Sequence, residues 1–398
     1  MITPAGDNRL RILVLGYLVR GPLGGLAWHH LQYVLGLHRL GHDVYFIEDS
    51  GDSPACYDPS RHVTDEDPSY GIRFTAAAFD RLGLGDRWAY FDAHAAQWLG
   101  PCAAQAVQLC KTADVILNVS AVNVIRPWMA DVPVKALIDT DPAFTQIRHM
   151  TDTSAREQAT RHTHFFTFGE NFGKPGCSLP DDGFPWQPTR QPIVLDAWKV
   201  TLGKPDSRFT TVMQWDSYQS RDFDGRHYGM KAESFDAVIG IPRQTDKPLE
   251  LAIGSANAPR QRLEHHGWHL RDPLQVTKDP WTYQQYIRDS FAEFSVAKHG
   301  YVASNSGWFS ERSACYLASG RPVIVEDTGF GGWLTPGAGV LSFRDADSAL
   351  QCIESVIAEY DKHCRVARQV AEECFAAPRV LGSMVEDLIS ISIKTSSG

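Results

Sequence analysis

Residues 10–47 spell a strand, a glycine-rich turn, a helix and a second strand. That order constrains the fold more than any other feature of the chain. Leu10-Arg-Ile-Leu-Val-Leu15 is a short apolar run of the kind buried on both faces in a parallel sheet. Gly16, Gly21, Pro22, Gly24 and Gly25 follow. Leu31, Val34, Leu35, Leu37 and Leu40 then fall at helical spacing, and Gly41 ends the run. Asp43-Val-Tyr-Phe-Ile47 is the next strand. Strand–helix–strand units of this kind are parallel and right-handed, which commits the chain to an α/β architecture.

The pattern continues in strands at Asp114–Asn118, Val132–Asp139 and Thr163–Phe168, giving a five-stranded doubly wound domain. Ser50–Ser69 is polar, with Pro54, Pro59 and Pro68, and reads as a long loop beside a site. Gly173–Pro192 is punctuated by Pro175, Gly176, Pro180, Gly183, Pro185, Pro188 and Pro192 and reads as the linker. Alternation restarts with strands expected at Phe209–Gln214, Leu249–Gly254, His299–Ser304, Pro322–Glu326 and Gly339–Phe343. Val380, Leu381, Met384, Val385 and Leu388 mark a closing helix. The fold expected is two Rossmann-like doubly wound domains facing a cleft, over 1–192 and 193–377, with 378–398 a helix that returns to the first. The length of 398 residues suits this, at ~150 residues per domain.

A net charge of −9 lacks the basic footprint of a nucleic-acid scaffold, so nucleic acid is not expected as a partner. No apolar run reaches the ~20 residues of a membrane span, and Met1–Arg11 has no signal-peptide core. The eight cysteines are scattered, with no C-x-x-C, as in a reduced cytoplasmic enzyme. A homodimer is left open.

Several constellations could carry chemistry. The Gly16–Gly25 loop has Leu18 where the dinucleotide fingerprint needs its second glycine, and Glu48 lies too far along to be the fingerprint acid. Gly24 and Gly25 still allow a ligand to approach a helix N-terminus on the acceptor side, with Trp28 beside them. His29 and His30 lie in the first turns of that helix. A near-neutral histidine suits a general base, and Asp139 or Asp141, at a neighbouring strand end, could orient it; His29 is favoured. Asp139-Thr-Asp141 alone makes a poor metal site, so none is expected there. Gly267 breaks the helix that His265 and His269 would need to share a metal. In the second half, Ser217 closes a strand, and Arg221, Arg226 and Lys231 could face a diphosphate. Ser306, Gly307 and Ser310 offer a loop and helix start, Glu311 and Arg312 open the helix, and the next strand delivers Glu326 and Asp327.

The 299–330 block resembles the donor-binding half of GT-B glycosyltransferases, whose pattern reads small–x–R–x–x–E–A–x–A–x–G–x–P–V–I. Arg312, Gly320 and Pro322 match it, whereas Cys315 stands where the family has a Glu that often holds the donor ribose. Gly41-His-Asp-Val44 is similar to the G-H-x-V strand of other GT-B chains, and the branch most resembled is glycosyl transferases group 1, including spore-maturation-type proteins. The resemblance implies a metal-independent glycosyltransferase without a resident cofactor. A nucleoside-diphosphate sugar would serve as co-substrate, and a small-molecule or carbohydrate acceptor would bind the first domain. The aromatic residues of that domain (Trp28, Tyr33, Trp88, Tyr90, Phe91, Trp98 and Trp128) are expected near the acceptor. The alternatives are a non-hydrolysing sugar-nucleotide 2-epimerase of the same fold and a degenerate sugar-nucleotide-binding protein.

Overall fold

The computed structural model describes residues 9–51, 55–201, 203–204 and 206–395, with side chains to residue 390. Pro54, most of the N-terminal stretch and the last three residues of the terminal segment lie outside the described residues. The first sheet comprises β1 (Arg11–Leu15), β2 (Asp43–Asp49), β3 (Trp88–Asp92), β4 (Gln97–Leu99), β5 (Val115–Val119), β6 (Val134–Asp139), β7 (His164–Thr167) and β8 (Trp186–Pro188). Its order is β8-β7-β6-β5-β1-β2-β3-β4, parallel throughout except for β3 with β4. The second comprises β9 (Phe209–Gln214), β10 (Leu249–Gly254), β11 (His269–Arg271), β12 (Ala292–Ser295), β13 (Val323–Glu326) and β14 (Val340–Phe343), in the all-parallel order β11-β10-β9-β12-β13-β14. In each sheet the first strand sits between its second and a later one. Leu13 pairs with Tyr45 and Ile116, and Phe209 with Leu249 and Ala292. Each sheet therefore reverses strand order once, and ligands bind outside the carboxyl ends at such a switch point.

Seven helices position the cleft and the crossings between the domains: α1 (Gly24–Arg39), α2 (Phe144–Thr151), α3 (Thr153–Ala159), α4 (Pro280–Asp289), α5 (Glu311–Ala318), α6 (Tyr360–Cys374) and α7 (Ala377–Thr395). The apolar stripe of α1 is buried, and Leu381, Met384, Val385 and Leu388 of α7 join the same core, so the closing helix lies on the first domain. The two crossings run side by side. Ile193 N donates to Phe375 O at 2.6 Å, and Ala377 N to Ile193 O at 2.8 Å. Trp28 Nε1 donates to Pro280 O at 2.8 Å, and Gln32 Oε1 accepts from Val194 N at 2.7 Å, tying α1 to both a crossing and α4. Among the described residues, no helix is long and apolar enough to cross a membrane.

Three expectations change. His299–Ala303 is a short helix, and the central strand is Ala292–Ser295. The fully buried Glu293 interrupts that strand's apolar pattern, and its partner, Arg312, is 19 residues away. Gly173–Pro192 is not simply a linker, because Trp186–Pro188 adds an edge strand to the first sheet. Pro188 is tolerated there because an edge strand need not donate on its outer side. The aromatic residues Trp28, Tyr33, Trp88 and Tyr90 fill the first core, while Phe91, Trp98 and Trp128 pack on one another.

Candidate active site

The two switch points face each other across a cavity of about 720 Å³. The start of α1 forms one wall. Its N-cap, Leu23, has an extended backbone and no side-chain cap, and the first intrahelical bond is Ala27 N to Leu23 O. The N–H groups of Gly24, Gly25 and Leu26 are therefore free at the positive end of the helix. A Cβ at Gly24 would overlap the carbonyl of Asp279, so glycine lets α1 approach the second domain this closely. Glu48 holds the preceding loop. Its fully buried carboxylate accepts from Leu18 N at 2.6 Å and from Val19 N and Arg20 N at 2.8 Å. Tyr57 and His62, from the two-stranded ribbon within the 50–69 loop, complete this side.

The opposite wall carries the cations Arg260 and Arg312, with Asp272 and Glu311 beside them. Ser310 caps α5 by accepting from Arg312 N at 3.2 Å, which aims the helix start at the cavity. Each nitrogen of the Arg312 guanidinium donates once: Nε to Glu293 Oε1 at 2.5 Å, Nη2 to Ser295 Oγ at 2.5 Å and Nη1 to Val212 O at 2.8 Å. Burial alone would lower its pKa, but Glu293 together with Tyr283 and Glu311 outweighs that and keeps it charged. Lys231 opens the helix Lys231–Phe235, and its ammonium has no hydrogen bond or ion pair among the described residues. Burial, then the charges of Arg312 and Lys298, push its pKa down to about 7. A half-buried lysine beside other cations is a group that an anion would stabilise.

Past the start of α1, the ionisable side chains of His29 and His30 on the first-domain side are neutral. His29 Nε2 lies 3.2 Å from Ser120 Oγ, which is 2.8 Å from Thr140 Oγ1. Burial lowers the His29 pKa, opposed by the carboxylate of Glu311 across the cleft. His30 is fully buried with both ring nitrogens unpartnered, beneath Gly16 and 5.0 Å from the Tyr17 ring. Burial, then His29 and Arg20, hold it well below the usual imidazole range, so it is a neutral packing residue.

No protein-family model matches the chain, and no curated protein does. Solved structures do. An α-glucosyltransferase in complex with UDP and a 13-mer DNA containing a central A:G mismatch covers 96% of this chain and 100% of its own, at TM-score 0.59 and 8% identity. A glycosyltransferase involved in avilamycin A biosynthesis covers 96% and 98%, at TM-score 0.53 and 12% identity. A sucrose-phosphate synthase from Thermosynechococcus elongatus covers 96% and 100%, at TM-score 0.50 and 11% identity. The chain has the GT-B fold. One expectation is corrected here. Proteins of this fold are seen in complex with DNA, so the acidic balance does not exclude a nucleic-acid partner for a GT-B chain.

Within the GT-B cleft the expected residues divide. Gly25, Glu311 and Arg312 line the large cavity, and Gly25, His29 and Glu311 line a small crevice beside it. Asp139 and Asp141 do not orient His29. Asp139 is fully buried and accepts from Gln146 Nε2 at 3.0 Å, Thr167 Oγ1 at 2.7 Å and the Asp141 backbone at 2.8 Å, anchoring the turn into α2. Asp141 reaches the other domain instead, accepting from Lys298 Nζ at 2.9 Å and from the hydroxyls of Tyr218 and Tyr301. Burial pushes its pKa up, but Lys298 and the two tyrosines outweigh that and hold the carboxyl below its ordinary range. Trp28 is a buried interdomain hydrogen-bond donor, not a surface for an acceptor. Ser217 and Arg221 are exposed and away from the cavity, Arg221 on a solvent-facing ribbon, as is Arg226. Ser306 is buried, accepting from Trp308 N and donating to Tyr301 O. Gly307, at φ 74°, packs on Asn171 of the first domain. Glu326 accepts from Ala297 N at 2.9 Å, and Asp327 holds Gly329 N and Arg344. Cys315 faces Gln32 in the domain interface and does not line the large cavity.

Sequence reasoning missed Ser120, Thr140, Tyr218, Lys298 and Tyr301. Lys298 and Asp141 are 157 residues apart, and no local motif links them. Tyr17 was reachable, since it directly follows Gly16 in the loop already singled out.

Proposed function

We propose that the protein is a glycosyltransferase. It takes a sugar from a nucleoside-diphosphate sugar, held mainly by the second domain, to an acceptor presented by the first. One observation carries this reading: elements that favour an anion meet around a single interdomain cavity of ligand size. They are the free N–H groups of α1 and the start of α5 with Arg312; Lys231 does not line the cavity but is close enough to Arg312 to feel its charge. A departing diphosphate needs positive charge already in place, which such groups supply without rearrangement. Arg312 lines the same cavity, its guanidinium held in orientation by Glu293, Ser295 and Val212, with two of its five N–H groups outside those bonds.

His29 is the base in this reading. It is neutral at physiological pH, faces the cleft, and is steadied by Ser120 and Thr140 in place of a carboxylate. Glu311, across the cleft, favours the imidazolium that forms as the acceptor hydroxyl loses its proton. Catalysis proceeds without a resident cofactor or divalent metal. The carboxylates of Asp139 and Asp141 are committed to other partners, so activity is expected to survive EDTA.

The test is nucleoside-diphosphate release from a panel of UDP-, GDP-, ADP-, CDP- and dTDP-sugars. Acceptors should include saccharides, small aglycones and DNA oligonucleotides. Release that needs both a donor and an acceptor is expected. Epimer formation from donor alone would move the reading to the 2-epimerase, and donor binding without turnover across the whole panel would leave only a binding protein.

A further inference from the structure

A second cavity, of about 240 Å³, lies in the first domain behind α2 and α3. Its neighbour in the cleft is the loop after β5, where Ser120 touches His29 and Ala121 lines this cavity. Ser120 and Ala121 both adopt left-handed backbone, at φ 63° and 52°. Two successive non-glycine residues in that region are costly, and such strain concentrates at functional sites.

The cavity wall holds a prepared set of polar groups. His149 Nδ1 is 2.7 Å from Asp182 Oδ2, and both side chains are almost wholly buried. Trp186 Nε1 donates to the other Asp182 oxygen at 2.7 Å, and its ring stacks on His149 with planes 6° apart. The imidazole is thus fixed in orientation, and its Nε2 has no partner among the described residues. Gln158 lines the cavity, and its amide oxygen is buried without a hydrogen bond. Leaving such a group unpaired is a loss that a bound ligand would recover. Arg148, Asp152 and Ser154 stand on the rim, and Leu137, Ala121 and Ala159 provide an apolar floor.

We propose that this cavity binds one monosaccharide unit. One donor (Arg148) stands among acceptors (Asp152, the Gln158 amide oxygen and His149 Nε2, whose ring proton is on Nδ1 towards Asp182) over a small apolar floor. Vicinal hydroxyls, each of which donates and accepts, match that set, and a pyranose ring face matches the floor. The volume equals about eight waters at ~30 Å³ each, enough to admit a hexose ring. Asp152 opposes a free phosphate or carboxylate. The occupant is either a free sugar or one residue of a longer saccharide, and both share this chemistry. The inference does not depend on the transferase reading, because it concerns a different cavity.

Saturation-transfer-difference NMR on the full chain tests it, with glucose, mannose and galactose at millimolar concentration as probes. Saturable signal from at least one sugar is expected. It should fall at least tenfold in Ser154→Trp, which blocks the exposed rim, and in Gln158→Leu, which removes the unpaired oxygen. It should persist in Ser255→Trp, which obstructs the interdomain cavity instead. Thermal melts that match wild type certify the folds, and Ser154 is exposed, so at least that variant keeps the test decisive. The methyl glycoside separates the sources: rejection marks a free sugar, and acceptance marks a residue of a longer saccharide. No saturable signal from any of the three sugars would overturn the assignment. So would a signal unchanged by Ser154→Trp, or one lost in Ser255→Trp.

Discussion

The two switch points share a topology and differ in charge. Between β1 and β5 the edge presents His29, His30 and Tyr17, and burial keeps both imidazoles neutral. Between β9 and β12 it presents Arg312, charged and locked to Glu293, with Lys231 close by. One Rossmann-like frame has thus been tuned in two directions. The neutral edge suits a proton acceptor, and the cationic edge suits a diphosphate.

The comparison breaks most visibly at His29. His29→Ala is expected to lower turnover about 10²–10⁴-fold while donor affinity stays at the wild-type value, measured as kcat and Kd separately. Unchanged turnover would move the base elsewhere. His30→Ala should lower thermal stability instead, since that ring fills space beneath Gly16.

On the cationic edge the largest effect is on folding. Arg312→Ala leaves Glu293 buried without its counter-charge and is expected to cost about 3–5 kcal/mol in denaturant titration. Arg312→Met combined with Glu293→Leu should recover much of that loss, because removing both partners is far cheaper than removing one. If the single and double variants are equally unstable, the ion pair is not what Arg312 contributes.

Asp141 joins the two edges. Asp141→Asn removes the charge pairing with Lys298 and should cost about 1–2 kcal/mol, with increased protease sensitivity at the domain interface. The pH dependence has a definite sign. The Asp141 pKa is lowered on folding, so its contribution is complete above the unfolded carboxylate value and is lost as pH falls through the folded one. The acid limb of stability should flatten in Asp141→Asn.

The smallest effect is a proton count. With its pKa near 7, Lys231 is mostly neutral at pH 8, and a diphosphate beside it would restore its charge. Donor binding at pH 8 should take up a proton, seen as a dependence of calorimetric enthalpy on buffer ionisation, and Lys231→Met should abolish that dependence.

The fold was legible in the sequence because parallel strands are continuous apolar runs. Leu10–Leu15, Asp114–Asn118 and Val132–Asp139 coincide with β1, β5 and β6 to within two residues. Ala292–Ser295 was not legible because its central Glu293 reads as polar until Arg312 is brought beside it. The candidate site divides in the same way. Gly25, His29, Glu311 and Arg312 lie next to glycines or helix starts, which are local signals. Asp141 looked like a partner for His29 because both follow strand ends of one sheet. Its true partners come from the other domain, and one sequence carries no sign of such a contact.

The division of labour between the edges is tested most directly by calorimetric titration of wild type, His29→Ala and Lys231→Met with uridine, guanosine, adenosine, cytidine and thymidine diphosphates. Wild type and His29→Ala should bind the same diphosphate with the same affinity, and Lys231→Met should bind it at least tenfold more weakly, a loss of about 1.4 kcal/mol. Equal binding by Lys231→Met together with lost binding in His29→Ala would place the anion on the neutral edge and contradict the account.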